Sequence, residues 1–174
     1  MQIDTEHLRL RPLTMADVDD LLPLQQDPQM MRYFEDGHVY TPDESRTWLQ
    51  WHADMWGLEG YGFWGVELRA TGAFVGWLGV TKVWTPPEIM PSSELGWFIA
   101  RRHWGQGLAT EGAREALAFA FGPLELPRVI ARYHSDNPAS GRVMEKIGMR
   151  FWREDPYPGV PEARTRIFEM LARP

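Results

Sequence analysis

The sequence predicts an α/β domain, and three observations support this prediction. Short segments that are apolar, or that alternate between apolar and polar residues, predict β-strands. Longer segments with apolar residues every three or four positions predict amphipathic helices, and several of them follow residues typical of helix N-caps. These segments succeed one another along 174 residues without a repeat or a long linker, so we expect a single domain over residues 1–174.

The first elements are a strand and two short helices. Residues 7–12 alternate in polarity and predict the first strand. The pattern Thr14-x-x-Asp17 is that of a capping box with Asp in place of Glu, and it predicts the start of a helix. Asp27 followed by Pro28 predicts a further helical turn, because proline suits the first position of a helix.

The next helix has a strong start and an aromatic stripe. Thr41, a proline after it and Glu44 are the N-cap, N1 and N3 residues of a well-capped helix. Its stripe at helical spacing consists of Trp48, Trp51, His52, Met55 and Trp56. Such a stripe is typical of core packing, with an aromatic pocket as the alternative. We expect His52 to be a hydrogen-bonded structural histidine rather than a ligand.

Two strands and a loop follow this helix. Residues 61–68 and 73–83 predict strands joined by a hairpin at residues 69–72. Residues 84–93 contain three prolines and predict a surface loop.

A strand, two glycines and a helix then form the segment around which the chain is organised. Residues 95–100 are apolar and predict a strand, and the helix that ends near residue 121 has one apolar stripe. Gly105 and Gly107 lie between them. A helix N-terminus attracts anions, and glycine lets an anion approach the backbone because no Cβ intervenes. The segment therefore predicts a phosphate site, to which Arg101 or Arg102 could add a charge.

Two common phosphate motifs fit this segment poorly. A dinucleotide fingerprint needs a third glycine at the position of Thr110 and a location near the start of a βαβ unit. A P-loop needs Gly-Lys-Ser or Gly-Lys-Thr, which does not follow here.

The last part of the chain predicts a strand, a helix and a final strand. Residues 128–133 predict a strand, and Asn137 with Pro138 predicts a capped helix start. Gly148 is suited to the position just after that helix. Gly141 lies inside the helix, where glycine is unfavourable, and only close packing would explain it. Residues 165–171 predict the last strand.

Composition excludes several classes of function. A net charge of −6 and a pI near 5.4 argue against nucleic acid as a partner, because nucleic-acid binding favours a basic surface. The absence of cysteine excludes thiol nucleophiles, disulfides and thiolate metal sites. No histidine has a partner at metal-ligand spacing, so we expect no metal. No run of eighteen apolar residues occurs, so we expect a cytoplasmic protein without a membrane partner.

Two segments carry a resemblance to a known family. The pattern Arg102-x-x-Gly105-x-Gly107, followed by Leu-Ala-Thr-Glu, resembles the acyl-CoA pyrophosphate loop of the GNAT superfamily of N-acetyltransferases. The pattern Asn137-x-x-Ser140-x-Arg-x-x-Glu-Lys-x-Gly-Met resembles the helix after the fifth strand in these proteins. The resemblance covers nearly the whole chain and extends to the branch related to bacterial ribosomal-protein N-terminal acetyltransferases.

The resemblance implies a fold and a co-substrate. The GNAT fold has a mixed, mostly antiparallel central sheet that is splayed between its fourth and fifth strands, with helices on both sides. Here those strands are residues 95–100 and 128–133. The resemblance implies acetyl-CoA as co-substrate, with its pantetheine arm in the splay. The implied binding residues are Phe98, Ile99 and Ala100 through their main chain, Arg102, Gly105, Gln106, Gly107, Leu108, Ala109 and Thr110 at the pyrophosphate, and Asn137 at the arm.

Two residues are candidates for catalysis of acetyl transfer. Glu94 begins the strand that leads to the glycine loop and is the candidate base for the amine, with an exposed strand-end carboxylate as the alternative. A main-chain N–H near Trp97 or Phe98 would polarise the acetyl carbonyl. The resemblance makes Ser140 the candidate proton donor to the leaving thiolate. Because a thiol of pKa about 8.5 is already a fair leaving group, Ser140 should matter less than Glu94.

The implied function is acetyl-CoA-dependent transfer of an acetyl group to a primary amine. The acceptor is either a protein N-terminal α-amine or a small-molecule amine. The nine tryptophans slightly favour a small apolar acceptor, which an aromatic-walled pocket would suit. The loop at residues 84–93 would form one wall of the acceptor site. The alternative function is a non-catalytic acyl-CoA-binding sensor or scaffold. A homodimer is compatible with the resemblance.

Overall fold

The computed structural model describes residues 1–82, 93–157 and 160–172. The predicted loop at residues 84–93 lies outside these ranges except for its last residue, which begins a strand. The strands are β1 (Ile3–Asp4), β2 (Leu8–Pro12), β3 (Phe63–Leu68), β4 (Phe74–Lys82), β5 (Ser93–Ile99), β6 (Arg128–His134), β7 (Arg150–Tyr157) and β8 (Val160–Leu171). The helices are α1 (Val18–Gln25), α2 (Pro28–Met31), α3 (Pro42–Leu58), α4 (Leu108–Phe121) and α5 (Pro138–Lys146).

All eight described strands form one mixed sheet in the order β1-β2-β3-β4-β5-β6-β8-β7. Neighbouring strands are antiparallel except β5 and β6, which are parallel. This confirms the predicted mixed, mostly antiparallel sheet. The strands predicted at residues 7–12, 61–68, 73–83, 95–100, 128–133 and 165–171 all correspond to observed strands. The sequence did not predict β1 and did not assign bounds to β7.

The sheet is splayed between β5 and β6. β5 pairs with β4 along all seven of its residues, from Ser93 to Ile99. It pairs with β6 only at Ser93 and Glu94, opposite Val129 and Ile130. The two strands therefore separate after Glu94, which confirms the predicted splay between the fourth and fifth predicted strands.

Hydrogen-bond direction along β5 determines which main-chain groups face the gap. The N–H of Ala100 donates to the C=O of Val75, at 2.7 Å, and so points towards β4. Because these directions alternate along a strand, the main-chain groups of Phe98 also point towards β4. The groups of Trp97 and Ile99 point the other way, into the space left by β6.

Helices cover both faces of the sheet, as predicted. One core cluster packs the apolar side of α4, together with Met144 of α5, against β4 and β6. The other packs α1, α2 and α3 against the opposite face through Phe63, Trp77 and Phe98. Gly112 explains how closely α4 approaches the sheet, because a Cβ there would lie 2.2 Å from Cδ2 of Leu78.

The helix starts follow local sequence chemistry. Thr41 accepts the N–H of Glu44, whose carboxylate accepts the N–H of Thr41 at 2.8 Å. The predicted N-cap is therefore confirmed, and it forms a capping box. Gly148 follows α5 with φ +88°, as expected for a residue in this position. Gly141 is also explained, because a Cβ at this position would lie 2.8 Å from Cζ and from the hydroxyl of Tyr133.

Candidate active site

A cavity of about 950 Å³ opens where β5 and β6 separate. Its walls come from β5, the start of α4, the end of β6, α5, the segment after α2 and one side of α3. The sequence-predicted site residues that line it are Glu94, Phe98, Ile99, Gly105, Gly107, Leu108, Ala109, Thr110, Asn137 and Ser140. The fold therefore brings both candidate catalytic residues and most candidate acetyl-CoA residues to one continuous space. Phe98 differs from the expectation, because its main-chain groups point towards β4 and not into this space.

Three predicted residues do not line this cavity. Ala100 is 1% exposed, and its N–H is already bonded to β4. Arg102 is exposed, and its Nε lies 3.1 Å from Nε2 of His103. Gln106 donates to the C=O of Arg102, at 3.2 Å, and lines an adjoining cavity of about 550 Å³ instead. A role for these three in binding stays a prediction.

The glycine loop has the geometry of an anion site. Gly105 and Gly107 have φ values of +75° and +85°, which glycine adopts readily. A Cβ at either position would meet no atom of the described residues within 4 Å, so the loop faces open space. The helix begins at Leu108, and its first bond joins the N–H of Glu111 to the C=O of Gly107, at 2.9 Å. The N–H groups before Glu111 have no partner one turn back in the helix.

Glu94 lies at the base of the gap in a two-pronged ion pair. Nε of Arg132 donates to one carboxylate oxygen at 2.9 Å, and its Nη2 donates to the other at 2.6 Å. Both side chains are partly exposed and both line the cavity. The pair fixes the orientation of the carboxylate, while each oxygen keeps a lone pair for a further proton or hydrogen bond.

Asn137 and Ser140 form a second small polar group on the α5 side. The side-chain oxygen of Asn137 accepts the N–H of Ser140 at 3.4 Å, which is the predicted cap of α5. The side-chain nitrogen of Asn137 donates to the hydroxyl oxygen of Ser140 at 3.1 Å. Because this bond uses Ser140 as an acceptor, its hydroxyl proton is still available to a group in the cavity.

Several cavity residues were not assigned a role from the sequence. Arg142 and Lys146 lie one turn apart on α5 and line the same space as the start of α4. Their spacing of four residues places both on one face of a helix, and this sequence pattern could have identified them as a pair. Tyr133 is buried beneath Gly141, and its hydroxyl accepts a hydrogen bond from Nη1 of Arg166 at 3.1 Å.

The aromatic stripe of α3 divides between core and cavity. Trp48 and His52 line the cavity, Met55 is buried, and Trp51 is 45% exposed. His52 is only 6% exposed, and burial lowers its pKa to about 3, so the ring is neutral. Its Nδ1 has no hydrogen-bond partner among the described residues, so the hydrogen bond expected of His52 is not found at this atom.

Two features of the described ranges concern membranes and metal ions. None of the helices there is long and apolar enough to cross a bilayer. No group of three or more His, Asp or Glu side chains in that part of the chain is arranged to hold a metal ion.

Comparison with known proteins gives the family. Residues 7–150 match the family model described as an acetyltransferase (GNAT) domain. The FsC-acetyl coenzyme A-N(2)-transacetylase of Aspergillus fumigatus is 34% identical over 179 residues, which cover 94% of this chain and 74% of that protein.

Solved structures show the same fold. The acetyltransferase (GNAT family) from Bacillus anthracis aligns with a TM-score of 0.82 and 27% identity, covering 98% of both chains. The ribosomal L7/L12 alpha-N-protein acetyltransferase RimL, in complex with coenzyme A, aligns with a TM-score of 0.83 over 99% of this chain and 98% of that one. At 15% identity this second likeness concerns the fold alone. The chain belongs to the GNAT family of acetyltransferases, and the protein is an N-acetyltransferase.

Proposed function

We propose that the protein transfers an acetyl group from acetyl-CoA to a primary amine, with a protein N-terminal α-amine or a small-molecule amine as acceptor. One observation carries this proposal: a single cavity runs from the glycine loop of α4 to Glu94 and Ser140. An anion site and a pair of proton-transfer groups thus share one space. The Aspergillus relative, an acetyl coenzyme A transacetylase, and the RimL complex with coenzyme A support this co-substrate.

The residues of the cavity fit coenzyme A. Gly105, Gly107 and the N-terminus of α4 provide N–H groups and space for a pyrophosphate. Arg142 and Lys146 supply positive charge on the facing helix. The main-chain groups of β5 that face the gap suit the amides of a pantetheine arm. The C=O of Ile99 already accepts from the indole of Trp104 at 2.5 Å, which leaves the N–H of Ile99 and both groups of Trp97 for this purpose.

Each catalytic side chain has a specific task in this proposal. Bound acetyl-CoA supplies an acetyl group activated as a thioester. Glu94 accepts a proton from the amine, directly or through one water, while Arg132 holds its carboxylate in place. A gap-facing N–H of β5 donates to the acetyl oxygen as charge develops there. Ser140 gives its proton to the leaving sulfur and takes one back from solvent, and Asn137 orients it.

The basicity of the acceptor amine limits how much help it needs. An α-amine has a pKa of about 7.7–8.0, whereas a lysine amine has a pKa of about 10.4. A substantial fraction of α-amines is therefore neutral near pH 7.5 and ready to react. Holding amine and thioester together adds roughly 7–11 kcal/mol through proximity, so modest proton transfer is sufficient. This favours α-amines and other weakly basic amines as acceptors.

The decisive experiment measures free thiol release from acetyl-CoA with peptides, amino acids and amines as acceptors, alongside calorimetric titration with acetyl-CoA. We expect micromolar to millimolar binding and turnover with at least one acceptor class. Binding without turnover on a broad panel would favour the non-catalytic sensor or scaffold. If the folded protein neither bound acetyl-CoA nor released thiol with any acceptor, the proposal would be contradicted.

A further inference from the structure

Six rings on the α3 side of the cavity form a surface that the proposed chemistry does not use. This aromatic slot consists of Phe34, Trp48, His52, Phe63, Trp77 and Phe98, all of which line the cavity. Its central members stack in order, with ring centroids 4.5 Å apart for His52 and Phe63, 4.3 Å for Phe63 and Trp77, and 5.7 Å for Trp77 and Phe98. The interplanar angles of 26°, 22° and 12° make this a layered wall.

The aromatic slot adjoins the candidate base. A Cβ on Gly96 would lie 3.3 Å from Cζ3 of Trp77 and 3.5 Å from Cζ of Phe63, so these ring edges lie over Gly96. Gly96 is only two residues from Glu94 on the same face of β5, a distance of about 7 Å along the strand. A molecule whose amine lies at Glu94 would therefore rest its body against the slot.

Unpaired polar atoms lie within this apolar wall. Nε1 of Trp77 and Nδ1 of His52 belong to side chains that are 3% and 6% exposed, and neither atom has a hydrogen-bond partner among the described residues. The hydroxyl of Thr81, directly opposite Glu94 on β4, is also unpaired in that part of the chain. Burying such atoms without a partner is unfavourable, so each calls for a partner from outside the described residues, such as a ligand or a water molecule. An indole N–H can only donate, so Trp77 calls for an acceptor atom such as oxygen.

Charge within and around the slot favours an uncharged ligand body. The ring of His52 is neutral, and the other five members carry no charge. The carboxylates of Glu35 and Asp36 also line the cavity, but they are not part of the slot; the first accepts from the Tyr40 hydroxyl and the second is bonded to the His38 ring, both at 2.5 Å. A second cationic amine would have no dedicated partner inside the slot.

Building on the proposed function, we propose that the aromatic slot selects the acceptor. The acceptor is an amine whose body carries an aromatic or large apolar group and an uncharged oxygen, as in the amide of an aromatic amino acid or an aromatic residue at a peptide start. The amine points to Glu94 and the apolar group contacts the slot. Because both nitrogens are buried before the acceptor binds, the two rings turn slightly so that the oxygen accepts hydrogen bonds from Trp77 and His52. Trp77 and His52 thus determine specificity and take no part in the chemistry.

Acceptor selectivity of the wild-type protein tests this without any variant. Thiol release is measured with three acceptors. Phenylalanine amide has an aromatic side chain, glycine amide has no side chain, and putrescine carries a second positive charge. We expect kcat/KM for phenylalanine amide to exceed both others by at least tenfold. Equal values for glycine amide, or a preference for putrescine, would overturn the proposal while the proposed acetyl transfer still held.

Variants then examine the two polar atoms separately. His52→Phe and Trp77→Phe keep a ring in the stack but remove the nitrogen. We expect KM for phenylalanine amide to rise about tenfold in each, while KM for acetyl-CoA stays within twofold of wild type. Trp152→Phe is the matched control, because it makes the same exchange as Trp77→Phe at a tryptophan that lies outside the cavity. An unchanged KM in both folded variants would refute the assignment.

A spectroscopic readout does not depend on turnover. The indole N–H resonance of Trp77 should shift downfield when phenylalanine amide is added to the wild-type protein without acetyl-CoA, because the N–H gains an acceptor. Glycine amide should leave this resonance in place. An unshifted signal at saturating phenylalanine amide would contradict the proposal even if the variants failed to fold. No turnover with any acceptor would instead contradict the proposed function.

Discussion

Glu94 and Arg132 are joined by two hydrogen bonds, of 2.9 and 2.6 Å, at the place where β5 and β6 separate. Each residue belongs to one of the two separating strands, so the ion pair spans the base of the gap. A bidentate pair fixes a carboxylate more firmly than a single contact does. The candidate base is thus held in one orientation towards the cavity before any ligand binds.

Replacement of Glu94 by Gln keeps the size of the side chain but removes its capacity to accept a proton. We expect kcat to fall by tenfold or more near neutral pH while acetyl-CoA binds as before, because the glycine loop is unaffected. Thiol-release kinetics and calorimetry measure the two quantities. Ser140→Ala should lose less activity, since a thiolate is a fair leaving group without assistance. An unchanged pH–rate profile in Glu94→Gln would remove Glu94 as the base.

Replacement of Gly107 by Val should block coenzyme A. The added side chain would occupy the open space at the start of α4, where we propose the pyrophosphate binds. We expect the Kd for acetyl-CoA to rise at least tenfold by calorimetry. Gly72→Val is a matched control, because Gly72 has a similar φ of +72° and equally open surroundings but lies in the hairpin before β4. Wild-type affinity in a folded Gly107→Val protein would refute the loop assignment.

Replacement of Gly141 by Ala should destabilise the protein, although alanine is the better helix former. The new Cβ would overlap the ring of Tyr133 at 2.8 Å, and overpacking costs about 1–3 kcal/mol against a propensity gain of about 1 kcal/mol. Urea unfolding should therefore show a lower free energy of unfolding. Gly57→Ala, in α3, meets no described atom within 4 Å and should be neutral or slightly stabilising. Similar effects in both variants would count against the packing argument.

The neutral state of His52 makes stability depend on pH. In the unfolded chain this ring binds a proton below pH about 6.5, whereas in the folded protein burial lowers its pKa to about 3. The unfolded state therefore binds more protons between these values, and the free energy of unfolding falls as pH decreases through this window, by up to roughly 5 kcal/mol. His52→Phe should remove this contribution. Urea unfolding from pH 7 to 4 tests it, and parallel curves for the two proteins would contradict it.

Local chemistry made the helix starts and the glycine loop predictable from the sequence. Thr41 with Glu44 forms its capping box entirely within four consecutive residues, and Gly107 needs only its own backbone to begin α4. Alternation of apolar and polar residues, or a run of apolar residues, was sufficient to predict the main strands. These patterns arise because one or both faces of each strand are buried. The splay of the sheet came instead from the family resemblance.

Long-range pairing was not predictable in the same way. Arg132 lies 38 residues from Glu94, and only the register between β5 and β6 brings the two together. The aromatic slot likewise joins rings from α3, β3, β4 and β5, whose contacts depend on how α3 packs on the sheet. His52 was expected to have a hydrogen bond because buried polar atoms usually do. Its unpaired nitrogen is a property of the packed neighbours, which the spacing of residues in α3 does not reveal.

The early separation of β5 from β6 gives this sheet a third edge. Other sheets leave unpaired main-chain groups only at their two outer strands, where they invite association with foreign chains. Here the N–H groups of Trp97 and Ile99 face a recess in the middle of the molecule, so they are shielded from such encounters. The incomplete pairing of β5 with β6 therefore leaves main-chain groups facing the cavity, where the proposed pantetheine arm would bond to them. A small molecule with amide groups can thus form the main-chain hydrogen bonds that a neighbouring strand would otherwise form.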